Sequence, residues 1–167
     1  MNRKNFIAAG TTALAAAILH SNELQAQQQE VPPYNIAIVK EFVIAGHGNM
    51  DKVKEMVVNS PNLLYCRYDW GSGDFEEAIE GAGHVGNKDI ANFLISQGAR
   101  PNIFVLTMLG ETEIVKAMLT KYPALLRAKG AHGLTLLHHA TKGGEQSKEI
   151  LEFLKEKGLT EMQIRIK

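Results

Sequence analysis

The stretch that decides the fold of this chain reads Gly86-Asn87-Lys88-Asp89-Ile90-Ala91-Asn92-Phe93-Leu94-Ile95-Ser96-Gln97-Gly98-Ala99. It opens on a glycine, continues with apolar residues at helical spacing, and closes on a second glycine. A helix this short cannot bury its apolar stripe alone, so the stretch predicts one element of a larger helical assembly.

Three further segments carry the same pattern. They are residues 48–57, 110–119 and 148–158, the last with its first glycine displaced. The equivalent positions, at intervals of 38, 24 and 36 residues, are Lys52, Ile90, Ile114 and Ile150. Pro61 and Pro123 lie at the same distance beyond two of these helices, where a helix can no longer continue. The four copies indicate an internal repeat.

Together these copies resemble ankyrin repeats, whose unit is a turn, a short helix, a tight link, a longer helix and an outward loop. Residues 133–140 are similar to the family's turn and first helix, with Leu136 in place of its usual proline. Residues 98–102 are similar to the exit of the second helix, with Arg100 in place of the usual aspartate. The resemblance implies an all-α ankyrin-repeat solenoid over residues 36–159. Its four helix-turn-helix units would span about 36–69, 70–101, 102–130 and 131–159.

Five residues of the repeat are predicted to be structural: Gly48, Gly86, Gly110, Thr135 and His138. The glycines precede the second helices, where a left-handed backbone suits a tight link. The hydroxyl of Thr135 is expected to bond the backbone or the His138 ring. The resemblance implies that His138 ties neighbouring turns together.

The units differ in their outward loops. The interval of 24 residues predicts that the third unit lacks its hairpin, so that residues 103–109 serve directly as its first helix. Residues 63–75 form a long connection, here named the first finger, and residues 127–133 form the second finger. We expect a gap about one repeat wide between the two fingers. Residues 27–35 are predicted to be a linker or cap, and residues 160–167 a tail that caps the last helix or frays.

The first 26 residues have the pattern of a cleavable export signal. Arg3 and Lys4 precede an apolar stretch, and a polar segment then leads to Ala26. This pattern predicts a periplasmic or secreted protein with no permanent membrane span after cleavage. The segment Arg3-Lys4-Asn5-Phe6-Ile7 is also similar to twin-arginine leaders, with Lys4 in place of the second arginine, so both export routes stay open.

Composition narrows the possible functions. The 18 Lys and Arg residues balance 18 Asp and Glu residues, which argues against a nucleic-acid partner. The single cysteine, Cys66, forms no intramolecular disulfide and is interpreted as a packing residue. No local motif of a hydrolase or phosphate-binding loop is present, so we predict that the chain is not an enzyme.

No metal site or cofactor is predicted either. The five histidines after the leader show no metal-binding pattern; they are His47, His84, His132, His138 and His139. The acidic group Asp74, Glu76, Glu77 and Glu80 is interpreted as a helix start followed by a solvated face, because acidic residues there offset the helix dipole.

The resemblance therefore implies a non-catalytic module that binds or modulates another exported protein. The predicted contacts lie on the two fingers and are Tyr68, Asp69, Trp70, Lys129 and His132. Trp70 has two interpretations, an aromatic anchor for a partner or a packing residue over the first two units. The alternatives for the whole chain are a structural or self-associating envelope protein and a small enzyme. The sequence indicates neither the partner nor the oligomeric state.

Overall fold

Eight α-helices account for most of the residues that the structure, a computed structural model, describes, which are residues 31–166. The helices are α1 (Ile36–Gly46), α2 (Met50–Asn59), α3 (Ala78–Val85), α4 (Lys88–Ser96), α5 (Ile103–Leu109), α6 (Thr112–Lys121), α7 (Leu136–Gly143) and α8 (Lys148–Glu156). The predicted leader lies outside the described residues. Tyr34 begins the unit that contains all of these helices. At this level the prediction of an all-α protein is confirmed.

The helices pack as consecutive pairs. Each odd-numbered helix contacts the even-numbered helix that follows it, and α1, α3, α5 and α7 also contact one another in that order. Helix α7 contacts α3 as well as α5. The first helices of the pairs therefore form a row. Within this row α3 and α7 contact each other, although the short helix α5 also contacts both of them.

Short 3₁₀ helices and a small hairpin lie in the connections between the helices. The 3₁₀ helices are Pro61–Tyr65, Pro123–Arg127, Ala131–Gly133 and Gly144–Ser147. In the first finger, β1 (Tyr68–Asp69) pairs antiparallel with β2 (Phe75–Glu76), with Tyr68 opposite Glu76. Helix α4 is joined to α5 by residues 97–102, within which no strand is described.

Local capping explains where the helices begin. The side chains of Asn35, Asn49, Asn87 and Asn102 each accept a hydrogen bond from a backbone N–H in the first turn of the helix that follows. Such a cap replaces a bond that the first turn cannot make internally and is worth about 1 kcal/mol.

Two of the three predicted link glycines adopt the expected backbone. Gly86 and Gly110 end α3 and α5 with φ of 85° and 83°, in the left-handed region. The prediction for Gly48 is wrong, because its φ is not positive. Helix α1 ends instead through His47 in an ordinary right-handed turn, with φ −72° and ψ −24°.

The core runs through the helix row, and α5 contributes to both of its halves. Val105 and Met108 pack with α1 to α4, whereas Ile103 and Phe104 pack with α6 to α8. Leu136 in α7 is fully buried, so its replacement by alanine should cost about 2–5 kcal/mol. Among the described residues no helix is both long enough and apolar enough to cross a bilayer.

The predicted tail does not cap the last helix. The N–H of Ile164 donates to the carbonyl of Gly133 at 2.8 Å, and the N–H of Thr135 donates to Met162 at 3.1 Å. An isolated bridge pairs Leu134 with Gln163. The described part of the tail therefore lies along the second finger as an extended segment.

Candidate functional site

Four side chains from distant parts of the sequence meet on the finger side of the helix row. They are His47, Glu76, His84 and His132, here named the histidine–glutamate cluster. One ring nitrogen of each histidine and one carboxylate oxygen of Glu76 all lie within 4.8 Å of one another. Such a set of donors is the type that holds a transition metal ion.

The packing of α1 on α3 brings two of these histidines together. His47 follows the last residue of α1, and His84 lies in the last turn of α3. The two helices contact each other, with Gly46 at the end of α1 against Ala78 at the start of α3, and the two imidazole rings lie 4.7 Å apart. Gly81 permits this approach, since a Cβ there would lie 2.8 Å from the His47 ring.

The fingers supply the other two members. Glu76 lies in β2 and its side chain has no exposed surface, while His132 lies in the 3₁₀ turn of the second finger. The Oε1 atom of Glu76 is 3.4 Å from Nε2 of His47 and 3.2 Å from Nδ1 of His84. Its Oε2 atom is 3.5 Å from Nε2 of His132.

Neighbouring groups fix the orientation of two rings. Nδ1 of His47 donates to the carbonyl of Val43 at 3.0 Å, because a carbonyl can only accept. Nδ1 of His132 lies 2.8 Å from the Asp74 carboxylate, which also accepts a hydrogen bond from the His132 backbone N–H at 2.7 Å. In both rings the unprotonated Nε2 atom of the neutral imidazole therefore faces the cluster.

Trp70 orients the carboxylate. Its indole N–H donates to Oε2 of Glu76 at 2.7 Å, whereas Oε1 of Glu76 and Nδ1 of His84 are buried without a hydrogen-bond partner. Buried polar atoms in native proteins nearly always have a partner. These two atoms are therefore the least satisfied part of the cluster.

Burial and charge act in opposite directions on these groups. The adjacent carboxylate of Glu76 raises the pKa of His47, although burial opposes it. Burial acts to raise the pKa of Glu76, but the adjacent imidazole of His47 holds it below the usual range. Burial lowers the pKa of His84 to about 4, which keeps this ring neutral at pH 7.

His132 has an unusual backbone for a non-glycine residue. Its φ is 58° and its ψ is 17°, in the left-handed region, which costs such a residue on the order of 1 kcal/mol. The two hydrogen bonds to Asp74 and the packing of its ring 5.2 Å from that of His84 hold this conformation. Strained residues of this kind concentrate at functional sites.

The prediction of a gap between the two fingers is wrong at the place where the fingers meet, because His132 contacts Asp74 and Glu76 directly. The ring of Trp70 lies 5.9 Å from that of His132 and packs edge-on against Tyr68 at 4.8 Å. A cleft of about 290 Å³ persists beside this contact, between Phe75 of the first finger and Lys129 of the second.

The five predicted contact residues thus have different surroundings. Trp70 and His132 belong to or support the cluster, and Tyr68 packs beneath Trp70. One oxygen of Asp69 accepts hydrogen bonds from the N–H groups of Gly71 and Gly73, so it stabilises its own turn. Lys129 is exposed, and its ammonium donates to the carbonyl of Arg165.

Thr135 and His138, the other two predicted repeat residues, donate hydrogen bonds to different backbone carbonyls. The Thr135 hydroxyl donates to the carbonyl of Glu161 at 2.6 Å and not to the His138 ring. Nε2 of His138 donates to the carbonyl of His84 at 2.9 Å. His138 therefore connects α7 to the end of α3, beside the cluster.

The interpretation of the acidic group at residues 74–80 as a helix start is correct for two of its four members. Glu77 is the N-cap of α3, and Glu80 completes a capping box with it. Asp74 and Glu76 instead turn toward His132. Glu76 is buried, so the prediction of a solvated face is wrong for this residue.

Sequence reasoning missed the cluster because its members are far apart in the chain. One signal was available, since His47 and His84 lie one and two residues before the Gly-Asn pairs that open two copies of the predicted repeat. Stacked repeats bring such positions together. No signal of this kind marks Glu76 or His132.

No protein-family model matches this chain, and no curated protein matches it.

Proposed function

We propose that this chain is a non-catalytic, ankyrin-type repeat module that binds another exported protein. The observation that carries the proposal is an apolar surface where α1 meets the first finger. Ile44 and Trp70 are 52% and 36% exposed, and together with His47 and His132 they line a cavity of about 280 Å³. Exposed apolar cavities with an aromatic wall are typical of protein-binding surfaces.

The packing of the helices supports the ankyrin-type assignment. Four helix pairs follow one another in the described residues, and their first helices contact in sequence. The bond from His138 to the carbonyl of His84 agrees with the tying role that the resemblance implies for this histidine. Repeat proteins of this kind bind partners through a surface formed by several adjacent units.

The chemistry around this surface favours a protein partner. The Lys40 ammonium lies 5.2 Å from the centre of the Tyr68 ring and 5.6 Å from that of Trp70, so an aromatic face is joined to a positive charge. The balanced charge of the chain gives no electrostatic attraction for nucleic acid. A loop of a partner with an apolar tip and an acidic neighbour fits this surface.

A second copy of the chain is the alternative occupant, which corresponds to a self-associating envelope protein. A small enzyme is the third possibility. Affinity capture from the envelope fraction of the native organism, followed by mass spectrometry, distinguishes the first two. A partner at one-to-one stoichiometry supports the proposal, and capture of the chain itself alone supports self-association.

Two surface variants make the capture specific. Ile44→Lys places a charge in the apolar cavity and should abolish capture of the partner, because an unpaired charge cannot be buried cheaply. Val58→Lys is the matched control, since Val58 is an exposed aliphatic residue of α2, 81% accessible. Equal loss of the partner with both variants, or with neither, contradicts the proposed surface.

Export is part of the same proposal and rests on the leader pattern of residues 1–26. We expect the mature protein to begin near Gln27 in the envelope or secreted fraction. N-terminal sequencing tests this, and an intact Met1 on cytoplasmic protein would contradict it. Replacement of both Arg3 and Lys4 by glutamine should stop export by either route.

A further inference from the structure

We propose that the histidine–glutamate cluster is a binding site for a divalent transition metal ion with the chemistry of zinc. The ligands would be Nε2 of His47, Nδ1 of His84, Nε2 of His132 and Oε1 of Glu76. This inference does not depend on the identity of a protein partner.

The types of donor select the class of metal. Three imidazoles and one carboxylate suit zinc and its neighbours in the first transition row, whereas magnesium and calcium prefer oxygen ligands. Zinc forms four-coordinate tetrahedral sites with ligands of these types. The cluster offers four such donors and no thiolate.

The distances in the cluster fit a tetrahedron. Zinc–nitrogen and zinc–oxygen bonds of about 2.0–2.1 Å place neighbouring ligand atoms about 3.3 Å apart. Oε1 of Glu76 lies 3.4 Å from Nε2 of His47 and 3.2 Å from Nδ1 of His84. One donor atom from each of the four residues lies within 4.8 Å of the others, so the histidines would need only a small inward movement to surround an ion.

The surrounding hydrogen bonds are those that metal-binding histidines use. Such a histidine usually donates its other ring N–H to a carbonyl or a carboxylate, which fixes the tautomer and the ring orientation. His47 donates to the Val43 carbonyl, and the His132 ring is held by the Asp74 carboxylate. In both cases the Nε2 atom is left to face Glu76.

The two unpartnered atoms are also explained by a cation. Oε1 of Glu76 and Nδ1 of His84 are buried, have no hydrogen-bond partner and lie 3.2 Å apart. Trp70 already occupies Oε2 of Glu76, so Oε1 is the oxygen left free for a cation. A divalent ion at this point would satisfy both atoms and offset the cost of burying them.

The site can be reached from solvent. The His47 and His132 side chains are 29% and 33% exposed, and both line the cavity that Ile44 and Trp70 share with them. An ion would thus enter from the cavity side, while Glu76 closes the base of the site.

The first test is direct binding to the purified full chain after chelator treatment. We expect zinc titration to saturate at one equivalent. Cobalt(II), used as a spectroscopic substitute, should give the intense visible absorption of a tetrahedral nitrogen and oxygen site, and one equivalent of zinc should remove it.

Variants locate the ion. His47→Gln and His132→Gln each remove one half-exposed ligand, so they should fold and bind zinc at least about tenfold more weakly. Asp74→Asn should also weaken binding, because it removes the carboxylate that orients His132. Lys116→Gln is the control, since Lys116 of α6 pairs with Glu149 of α8 and neither residue belongs to the cluster.

The outcomes separate cleanly. Loss of the cobalt spectrum in both ligand variants, with the spectrum retained in the control, supports the site. A parent chain that takes up no zinc at micromolar concentration overturns it, as does binding that the ligand variants leave unchanged. Equal loss in the Lys116→Gln control also overturns it. Glu76→Gln removes the carboxylate ligand and should also lose the cobalt spectrum. If this variant fails to fold, the two histidine variants decide the question.

Discussion

At the scale of single residues, the glycines show how the backbone makes room for function. Gly81 lies inside α3, where alanine would be the better helix former by about 1 kcal/mol. A Cβ at this position would lie 2.8 Å from Nδ1 of His47. The glycine therefore weakens the helix and lets an imidazole approach it, which points to a functional constraint rather than a folding one.

Gly81→Ala should consequently separate stability from metal binding. We expect the free energy of unfolding to stay the same or rise, because the His47 ring can move aside and alanine favours the helix. Zinc affinity should fall, because the moved ring no longer faces Glu76. Urea unfolding and zinc titration of the same preparation measure the two effects. Unchanged zinc affinity would show that the position of His47 is irrelevant to binding.

The link glycines give a second prediction at this scale. Gly86→Val should lower the stability by more than about 1 kcal/mol, since a β-branched residue is poorly tolerated in the left-handed region. A Cβ there would also lie 2.8 Å from the carbonyl of Lys142. Gly48→Ala is the control, because its backbone is not left-handed and its Cβ would meet open space. If Gly86→Val melts at the parent temperature, the link geometry is incorrect.

At the scale of elements, the helices were predictable and the loops between them only in part. Apolar periodicity and the Gly-Asn pairs mark helix starts directly in the sequence, because capping is a local interaction. The orientation of Glu76 was not predictable. It depends on which face of a two-residue strand packs inward, and that choice is made by the distant helices α1 and α3.

The tail is the element whose role the sequence misjudged most. Its pairing with the second finger adds backbone hydrogen bonds next to His132, and the Gln163 amide donates to the His132 carbonyl at 2.8 Å. Non-local pairing of this type leaves no periodic signal in a segment of eight residues. The segment supports the strained turn of the second finger from outside.

Truncation after Leu159 tests this role of the tail. We expect a loss of stability of about 1–3 kcal/mol, because the buried Thr135 loses the partners of its N–H and hydroxyl groups. Zinc affinity should fall as well, since His132 loses its support. Thr160→Ala in the full chain is the control, because this position is exposed. A truncated chain with the parent's unfolding midpoint would show that the tail is dispensable.

At the scale of the whole molecule, the cluster connects parts of the fold that are far apart in the chain. His47 follows α1 in the first helix pair. Glu76 lies in β2, just before the second pair, and His84 lies in α3, the first helix of that pair. His132 lies in the second finger, which precedes the fourth pair. Helix α7 contacts α3 directly, and the ring of His132 packs 5.2 Å from that of His84. The sequence interval of 24 residues predicts a short third unit, but it does not predict that these histidines meet.

The last prediction concerns acid sensitivity of the whole fold and rests on His139, which lies in α7 outside the cluster. This ring is only 3% exposed, packs 5.2 Å from the Phe104 ring, and donates from Nδ1 to the Thr135 carbonyl. Burial lowers its pKa to about 4, although the bond to Thr135 opposes this. The folded state therefore holds His139 neutral, whereas the unfolded chain protonates it near its ordinary pKa of 6.5.

Because the folded pKa lies below the unfolded one, the stability is fully present above pH 6.5 and falls as the pH drops toward 4. The loss from this residue should reach roughly 3 kcal/mol at most. His139→Asn should remove this contribution, since an asparagine amide can replace the donor to Thr135 but does not titrate. Urea unfolding at pH 7.5, 5.5 and 4.5, with a chelator present to exclude metal effects, measures the free energy in both proteins. An equal pH slope in parent and variant would show that His139 does not carry the acid sensitivity.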